Sequence, residues 1–378
     1  MKKVILIPDS FKGTMSSGEI CEIMEQTILR FFPAAEIRSI PVADGGEGTV
    51  DAFLTALGGQ RVPVTVTGPM GEPVEAFYGR CGDTAIVEMA AAAGLPLVRG
   101  EKRPELATTY GVGELLVHAA HHGAKRIVLG LGGSATTDGG CGCGAAAGIR
   151  FRNVAGEVFL PTGGTLEQVA EIDLRGLDPV LRQTEIITMC DITNPMYGPQ
   201  GAAYVFAPQK GADSRMVERL DRGLSHLAAV IQAQLGIDVS QLPGAGAAGG
   251  MGGGMAALFG SQLEPGIEAV LDTVGFDSLL AGTDVVFTGE GKIDSQSLGG
   301  KVVIGVARRA KRQGVPVIAV VGDIGDPIDG AYDQGVSAIF SINRVAVPYA
   351  QARLRAKEDL AKTMENICRF DQIRNHEQ

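Results

Sequence analysis

Short apolar runs, each ending in a loop rich in glycine and acidic residues and then a stretch of helical periodicity, recur along this chain. Lys3 to Pro8 is the first run, and its unbroken apolar character predicts a strand buried on both faces. Ser16 and Glu19 have the spacing of a capping box, which predicts a helix from Ser17 to about Phe32. A second strand, Ile37 to Val42, runs into Ala43-Asp44-Gly45-Gly46-Glu47-Gly48-Thr49 and a helix from about Glu47 to Leu57. The rhythm returns with strands at Arg126 to Leu131, Glu185 to Met189, Thr283 to Phe287, Val315 to Val321 and Ser337 to Phe340. Helical periods cover Tyr110 to His122, Met216 to Gln234, a stretch ending near Arg312, and the tail from about Ala350. Ala202 to Phe206 reads as one more strand.

The middle of the chain differs. Gln60 to Met89 reads as three short strands joined by Gly-Pro-Met-Gly and Cys-Gly-Asp turns, an antiparallel patch inside an alternating α/β pattern. The first and last thirds share one rhythm, so the expected architecture is two α/β domains. One is a discontinuous Rossmann-like parallel-sheet domain, residues 1–66 plus 265–378; a mixed α/β domain, 67–264, is inserted into it.

The loops after the strands carry the candidate chemistry. IVLGLGGSATTDGGCGCGAAAG, 127–148, is a strand, a glycine loop and a helix start, the pattern of an anion cradle with backbone N–H groups turned to the ligand. It lacks the Gly-Lys-Ser/Thr of a P-loop, and a tight turn that binds nothing gives the same pattern. Its GLGGSA resembles the GLGSSA loop of small-molecule kinases such as homoserine and galactose kinases. Asp9, Ser10, Lys12 and Thr14 follow the first strand. Asp191 and Asn194 follow another, in a loop that Pro195 keeps from becoming helix; such a pair can take a hydroxyl proton and hold Mg²⁺, or simply cap Asx turns. Thr288 to Lys301 gathers Glu290, Asp294, Lys292 and Lys301 with four glycines, a mixture suited to nucleotide phosphates and Mg²⁺. Asn343-Arg344 ends the last strand, and the glycine-dense 243–260 is expected to be a site-lining loop.

Composition narrows the classes. Among 378 residues, 45% are apolar and 20% charged, a soluble globular balance, while 54 glycines imply many backbone-lined turns. A formal charge of −10, the absence of Trp and few aromatics argue against nucleic acid and anionic membranes as partners. MKKVILIPDS is too short an apolar run for a signal peptide, and no span approaches bilayer length, so a cytoplasmic location is expected. Six scattered cysteines suit small core residues in a reducing compartment; Cys141 and Cys143 lack zinc spacing. His118, His121 and His122 fall at a helix end.

PDSFKGTMSS, PVADGGEGT, GLGGSATTDGG, DITNPMYG, GPQGAAYVFAPQKGA and TGEGKIDSQSLGGK, in this order, resemble the first class of bacterial glycerate kinases over residues 1 to about 370. The resemblance implies two α/β domains with the active site in the cleft between them. It implies transfer of the γ-phosphoryl group of ATP, with Mg²⁺, to D-glycerate, giving 2-phosphoglycerate and ADP. Asp191, Asn194 and Lys12 are then the catalytic candidates. Asp191 takes the 2-hydroxyl proton for direct in-line transfer, Asn194 orients that group, and Lys12 neutralises phosphate or the glycerate carboxylate. Asp9, Ser10, Asp44, Gly45 and Arg344 are the substrate-binding candidates; Gly132, Gly133, Ser134, Thr136, Lys292 and Lys301 are those for ATP phosphates. Glu290 and Asp294 are the metal candidates, with Asp44 a further one for metal or substrate hydroxyls. The partners implied are small molecules, for a monomer or homodimer. Two other readings stand beside this one: a kinase for a different small hydroxy acid or sugar, and a non-catalytic nucleotide-binding protein.

Overall fold

We describe residues 1–43, 45–295 and 297–375 of a computed structural model of the chain. Contacts divide it into two compact units, 1–43 with 55–57 and 267–378, and 44–54 with 58–266. The first expected junction, after residue 66, falls at the end of a strand, Gln60–Thr67, that pairs along its length with Pro73–Cys81 and so belongs to the second unit.

In the first unit five strands form one parallel sheet, in the order Glu36–Ser39, Lys3–Pro8, Val285–Gly289, Val317–Val321, Val336–Ser341. Numbered within this sheet, that is 2-1-3-4-5, a doubly wound order. Val4 to Ile7 are fully buried, which is why the first run reads apolar without alternation. Val4, Leu6 and Phe287 pack with Ile20, Met24 and Ile28 of the helix Ser17–Phe31 and with Leu360 and Met364 of the helix Tyr349–Asn375. The helix Val302–Arg312 packs on the same sheet through a buried apolar face that includes Val303, Ile304 and Val306. The capping box is present: Ser16 Oγ accepts from Glu19 N at 3.2 Å, and Glu19 Oε2 accepts from Ser16 N at 2.9 Å.

The second unit holds a six-stranded mixed sheet, ordered Gln262–Glu264, Glu185–Met189, Arg126–Gly130, Thr84–Glu88, Pro73–Cys81, Gln60–Thr67. The first four strands are parallel, and the hairpins of the 60–88 patch add the antiparallel edge. A three-stranded sheet, Arg150–Arg152, Val158–Phe159 and Glu171–Asp173, and the helix Ser214–Leu235 close a second core around Phe151, Leu220 and Leu224. Both units are therefore α/β, one parallel and one mixed, as the alternation predicts. Among the described residues, no helix is long and apolar enough to cross a membrane.

Two stretches differ from the sequence expectation. Ala202–Phe206 is a helix, not a strand. Ala202 and Ala203 are buried while Tyr204 and Val205 are 43% and 45% exposed, a pattern of turns rather than of alternation, and five apolar residues alone do not separate the two. The glycine-dense 243–260 is mostly a buried helix, Ala247–Phe259, bent where Ala248, Gly249 and Gly250 take left-handed conformations. Its glycines serve close packing: a Cβ on Gly254 would stand 2.1 Å from the Gly139 carbonyl oxygen.

Gly254→Ala forces backbone apart against backbone, and a loss of about 1–3 kcal/mol in the urea unfolding free energy is expected. An unaltered midpoint would show that this contact relaxes freely.

Candidate active site

In the second unit, Glu88, Gly130, Met189 and Glu264 stand in register across four parallel strands, so the loops that follow emerge along one edge of the sheet. This is the carboxyl edge, where open α/β sheets place their ligands. The strand ending at Gly130 sends Gly132 against the neighbouring segment: Gly132 N donates to Gly45 O at 2.9 Å. A Cβ on Gly130 would lie 2.3 Å from that same oxygen, and Gly45 itself has φ of +80°, so glycine is required on both sides. Glu88, buried at the next strand end, accepts the Val50 amide at 2.7 Å and closes the start of the helix Thr49–Leu57. Burial raises its pKa. Asp44, one residue before Gly45, lies outside the described residues.

Only Gly132, Gly133 and Ser134 of the loop reach solvent; Ala135 to Gly140 are buried. The loop is held at several points. Gly133 O accepts from Leu95 N, Ala135 N donates to Ala93 O, and Gly139 N donates to Gly249 O. At its centre the fully buried Asp138 accepts from Thr109 N and Oγ1, Gly140 N and Gly142 N, at 2.7 to 3.2 Å. Burial pushes its pKa up while those four donors pull it down.

The structure corrects the anion-cradle expectation at this point. The helix Cys141–Ala146 has its first amides turned to Asp138 and to Thr109 Oγ1, so its N-terminus is closed by the protein's own carboxylate. Thr136 is wholly buried, with its hydroxyl unpartnered among the described residues. What faces solvent is the Gly132–Ser134 tip, where the Gly133 and Ser134 amides donate to no other described residue.

Beneath that tip lies Lys210, 3% exposed. Its Nζ donates to Ser134 Oγ at 2.8 Å and to Thr136 O at 2.6 Å. Burial lowers its pKa to about 7, against an opposing pull from the Asp138 charge. Sequence reasoning passed over this residue as one more loop lysine. Its neighbours carry the only hint: Pro208 opens a turn of 3₁₀ helix, Pro208–Lys210, and Gly211 at φ +101° ends it.

Along the same edge the adjacent strand ends at Met189, and two residues on Asp191 is exposed. Its Oδ1 accepts the Gly266 amide at 2.7 Å, which fixes the carboxylate. Asn194 donates through Nδ2 to Gln200 O at 2.7 Å, inside the loop that Pro195 shapes.

The first unit has its own row of strand-end loops. Pro8 pairs with Gly289, and Asp9 N donates to Gly289 O at 2.8 Å. Asp9 Oδ1 accepts the Ser10 amide, and Phe11 and Met15 close the next turn on each other. Lys12 stands exposed on that turn. An open depression of about 420 Å³ is lined there by Ser10, Lys12, Thr14 and Ser16. Gly291 lies against the same turn: a Cβ there would stand 3.5 Å from Phe11 Cα. Glu290 is buried and its Oε1 has no hydrogen-bond partner among the described residues. Burial raises its pKa to about 7, opposed by the Ser297 hydroxyl and Lys301, and raised further by Asp9 and Asp294. The structure thus gathers Asp9, Glu290, Asp294 and Lys301 into one electrostatic neighbourhood. Lys292 is exposed on a two-residue strand paired with Asp323–Ile324. Arg344 is exposed, and no described residue hydrogen-bonds its guanidinium.

Polar, glycine-bordered loops at the carboxyl ends of two sets of parallel strands define an α/β enzyme working on small molecules. Comparison with known proteins names the family. The model of the glycerate kinase family matches residues 4–372. A glycerate kinase of Bacillus cereus is 45% identical over 97% of both chains, and an Escherichia coli chain named glycerate 2-kinase is 44% identical over 97% of both. The crystal structure of a glycerate kinase 2 candidate from Salmonella typhimurium LT2, 42% identical, matches over 99% of both chains with a TM-score of 0.87. The chain belongs to the glycerate kinase family. It is a kinase, and ATP is the phosphoryl donor that activity implies.

Lys210 titrates near pH 7 in the folded chain against an ordinary 10.5, so between those values the unfolded chain holds more protons and stability rises with pH. Urea unfolding from about pH 7 to about pH 9 should show the native chain gaining on Lys210→Met by on the order of 1 kcal/mol per pH unit. Parallel pH profiles for the two would mean that the ammonium is not desolvated.

Proposed function

We propose that this chain phosphorylates the 2-hydroxyl of D-glycerate, giving 2-phosphoglycerate and ADP. The observation that carries the reading is the full-length similarity to the chain named glycerate 2-kinase. Phosphoryl transfer asks a protein mainly to position its reactants and neutralise charge, and acidic, basic and amide donors at strand ends suit that task.

Asp191 acts as the base. Its carboxylate takes the proton of the 2-hydroxyl as that oxygen bonds in line to the γ-phosphorus and the bond to the ADP oxygen breaks. One of its oxygens is held by the Gly266 amide, which presents the other in a fixed direction. Asn194 orients the hydroxyl, and Lys12 offsets charge on the transferred group or the glycerate carboxylate. Asp9, Ser10, Asp44, Gly45 and Arg344 bind the substrate. Gly132, Gly133 and Ser134 supply donors to ATP phosphates, aided by Lys292 and Lys301. Thr136 contributes through the loop's shape, since its side chain is buried.

The acids of the first unit fit Mg²⁺. Glu290 presents a buried carboxylate oxygen without a hydrogen-bond partner among the described residues, in the field of two further acids, and hard oxygen donors are what this cation takes. Glu290 and Asp294 would hold it. Among the described residues no three His, Cys, Asp or Glu are grouped to enclose a metal, and Mg²⁺ in such enzymes completes its shell with phosphate and water. When bound it supplies neutralisation of phosphate charge.

The test is a coupled assay with D-glycerate, ATP and Mg²⁺, read through enolase and pyruvate kinase without a mutase, since enolase accepts only the 2-phosphate. A signal is expected; ADP release without it would point to the 3-hydroxyl or to idle hydrolysis, and no ADP at all would move the search to other hydroxy acids and sugars. In the same assay a folded Asp191→Asn should lose about 10²–10⁴-fold in kcat. A near-native rate removes Asp191 from the role of base.

A further inference from the structure

We propose that Lys210 is a positioning residue for ATP: from beneath the glycine loop it orients the Ser134 hydroxyl as a hydrogen-bond donor to a phosphate oxygen. The inference rests on the reading of Gly132–Ser134 as the phosphate site and adds to it a residue that touches no substrate.

A serine hydroxyl has one proton and two lone pairs. Ser134 Oγ accepts from Lys210 Nζ at 2.8 Å, so one lone pair is occupied and its proton is left to donate elsewhere. Ser134 is half-exposed, and the open side is the tip of the loop. The neighbouring amide points the same way for a related reason. Gly133 O accepts from Leu95 N, and in a trans peptide the N–H lies opposite the C=O, so the Ser134 N–H is directed away from Leu95 and donates to no described residue. Lys210 also holds Thr136 O at 2.6 Å, which fixes the far side of the same turn. Hydroxyl and amide of one residue are thereby both presented as donors, the arrangement an anion needs.

The cost of placing a lysine here argues for function over packing. An ammonium that is 3% exposed loses its hydration, and Asp138, whose charge acts on it, already accepts four hydrogen bonds from other donors. An apolar side chain of similar length would fill the space without that loss. The backbone is built to hold the residue in place: Lys210 N donates to Ala207 O at 3.0 Å, and a Cβ on Gly211 would lie 2.6 Å from Lys102, so the turn closes only with glycine after the lysine. A positive charge one hydrogen bond behind Ser134 also makes its hydroxyl a stronger donor.

The experiment is a double-mutant cycle on the whole enzyme, with Lys210→Met, Ser134→Ala and both together, reading KM for ATP and for glycerate and checking each fold by circular dichroism. Each single change should raise KM for ATP about tenfold more than KM for glycerate, as expected for one charge-assisted hydrogen bond. The double variant should be no worse than about either single one, because both act through the same hydroxyl. If Ser134→Ala raises KM for ATP while a folded Lys210→Met does not, or if the two effects multiply, the positioning role is overturned and the phosphate site stands. If Ser134→Ala leaves KM for ATP alone, the phosphate reading falls and the inference with it. Equal losses in both KM values would mark Lys210 as merely structural and also overturn the proposal. Should Lys210→Met not fold, Lys210→Gln is read in the same way: a selective rise in KM for ATP supports the role and its absence overturns it.

Discussion

One buried carboxylate governs the second unit. Asp138 draws in the backbone and hydroxyl of Thr109 and the amides of Gly140 and Gly142, four donors from two segments of chain. In a low-dielectric interior such bonds are strong, and the same interior makes any one of them costly to leave unmade. The glycine loop therefore has to close around that side chain. Closure leaves no space for side chains where the turn meets its neighbours. Gly249 and Gly254 follow from it, since a Cβ on either would fall about 2 Å from a carbonyl of the loop. The density of glycine in two distant stretches is a single packing requirement seen from both sides.

The parallel sheets set where chemistry is possible at all. Within a parallel sheet the buried strands are spoken for by packing, and freedom begins at their carboxyl ends. In the second unit the row Glu88, Gly130, Met189 and Glu264 fixes where the glycine loop and Asp191 leave the sheet. In the first, the pairing of Pro8 with Gly289 puts Asp9 beside the loop of Glu290. Residues far apart in sequence are thus neighbours because two strands end level. Their roles differ because burial differs: Asp191 is exposed, while Glu290 and Asp138 are buried and have raised pKa values.

Much of this was legible in the chain because local signals and global packing agree there. Lys3–Pro8 and Glu185–Met189 appear with the bounds their apolar runs predict, and Ser16 with Glu19 forms the capping box their spacing announces. The failures share a cause. Ala202–Phe206 is too short for its period to be read, and its helical form comes from two alanines fitting beneath the helix Ser214–Leu235. The glycines of 247–259 look like a loop because their helix is stabilised by close contacts with Thr136 and Gly139, which lie far away in sequence. The start of the helix after Gly140 reads as an anion site until the fold shows Asp138 occupying it. For Lys210 the chain shows only the turn that Pro208 and Gly211 bound; its place beneath Ser134 is set by contacts distant in sequence.

Net charge misleads in the same way. A chain carrying −10 is a poor partner for a polyanion, whose field is sampled over many ångströms, yet that total says little about a single phosphate. Screening limits each exposed carboxylate to its own surroundings, whereas a desolvated ammonium acts over a short path of low dielectric. The position of Lys210 is one way an acidic protein can present positive potential to a nucleotide. In the proposed role its charge, hidden from bulk solvent, would act outward through the Ser134 hydroxyl, favouring a ligand that enters the loop over a polyanion in solution.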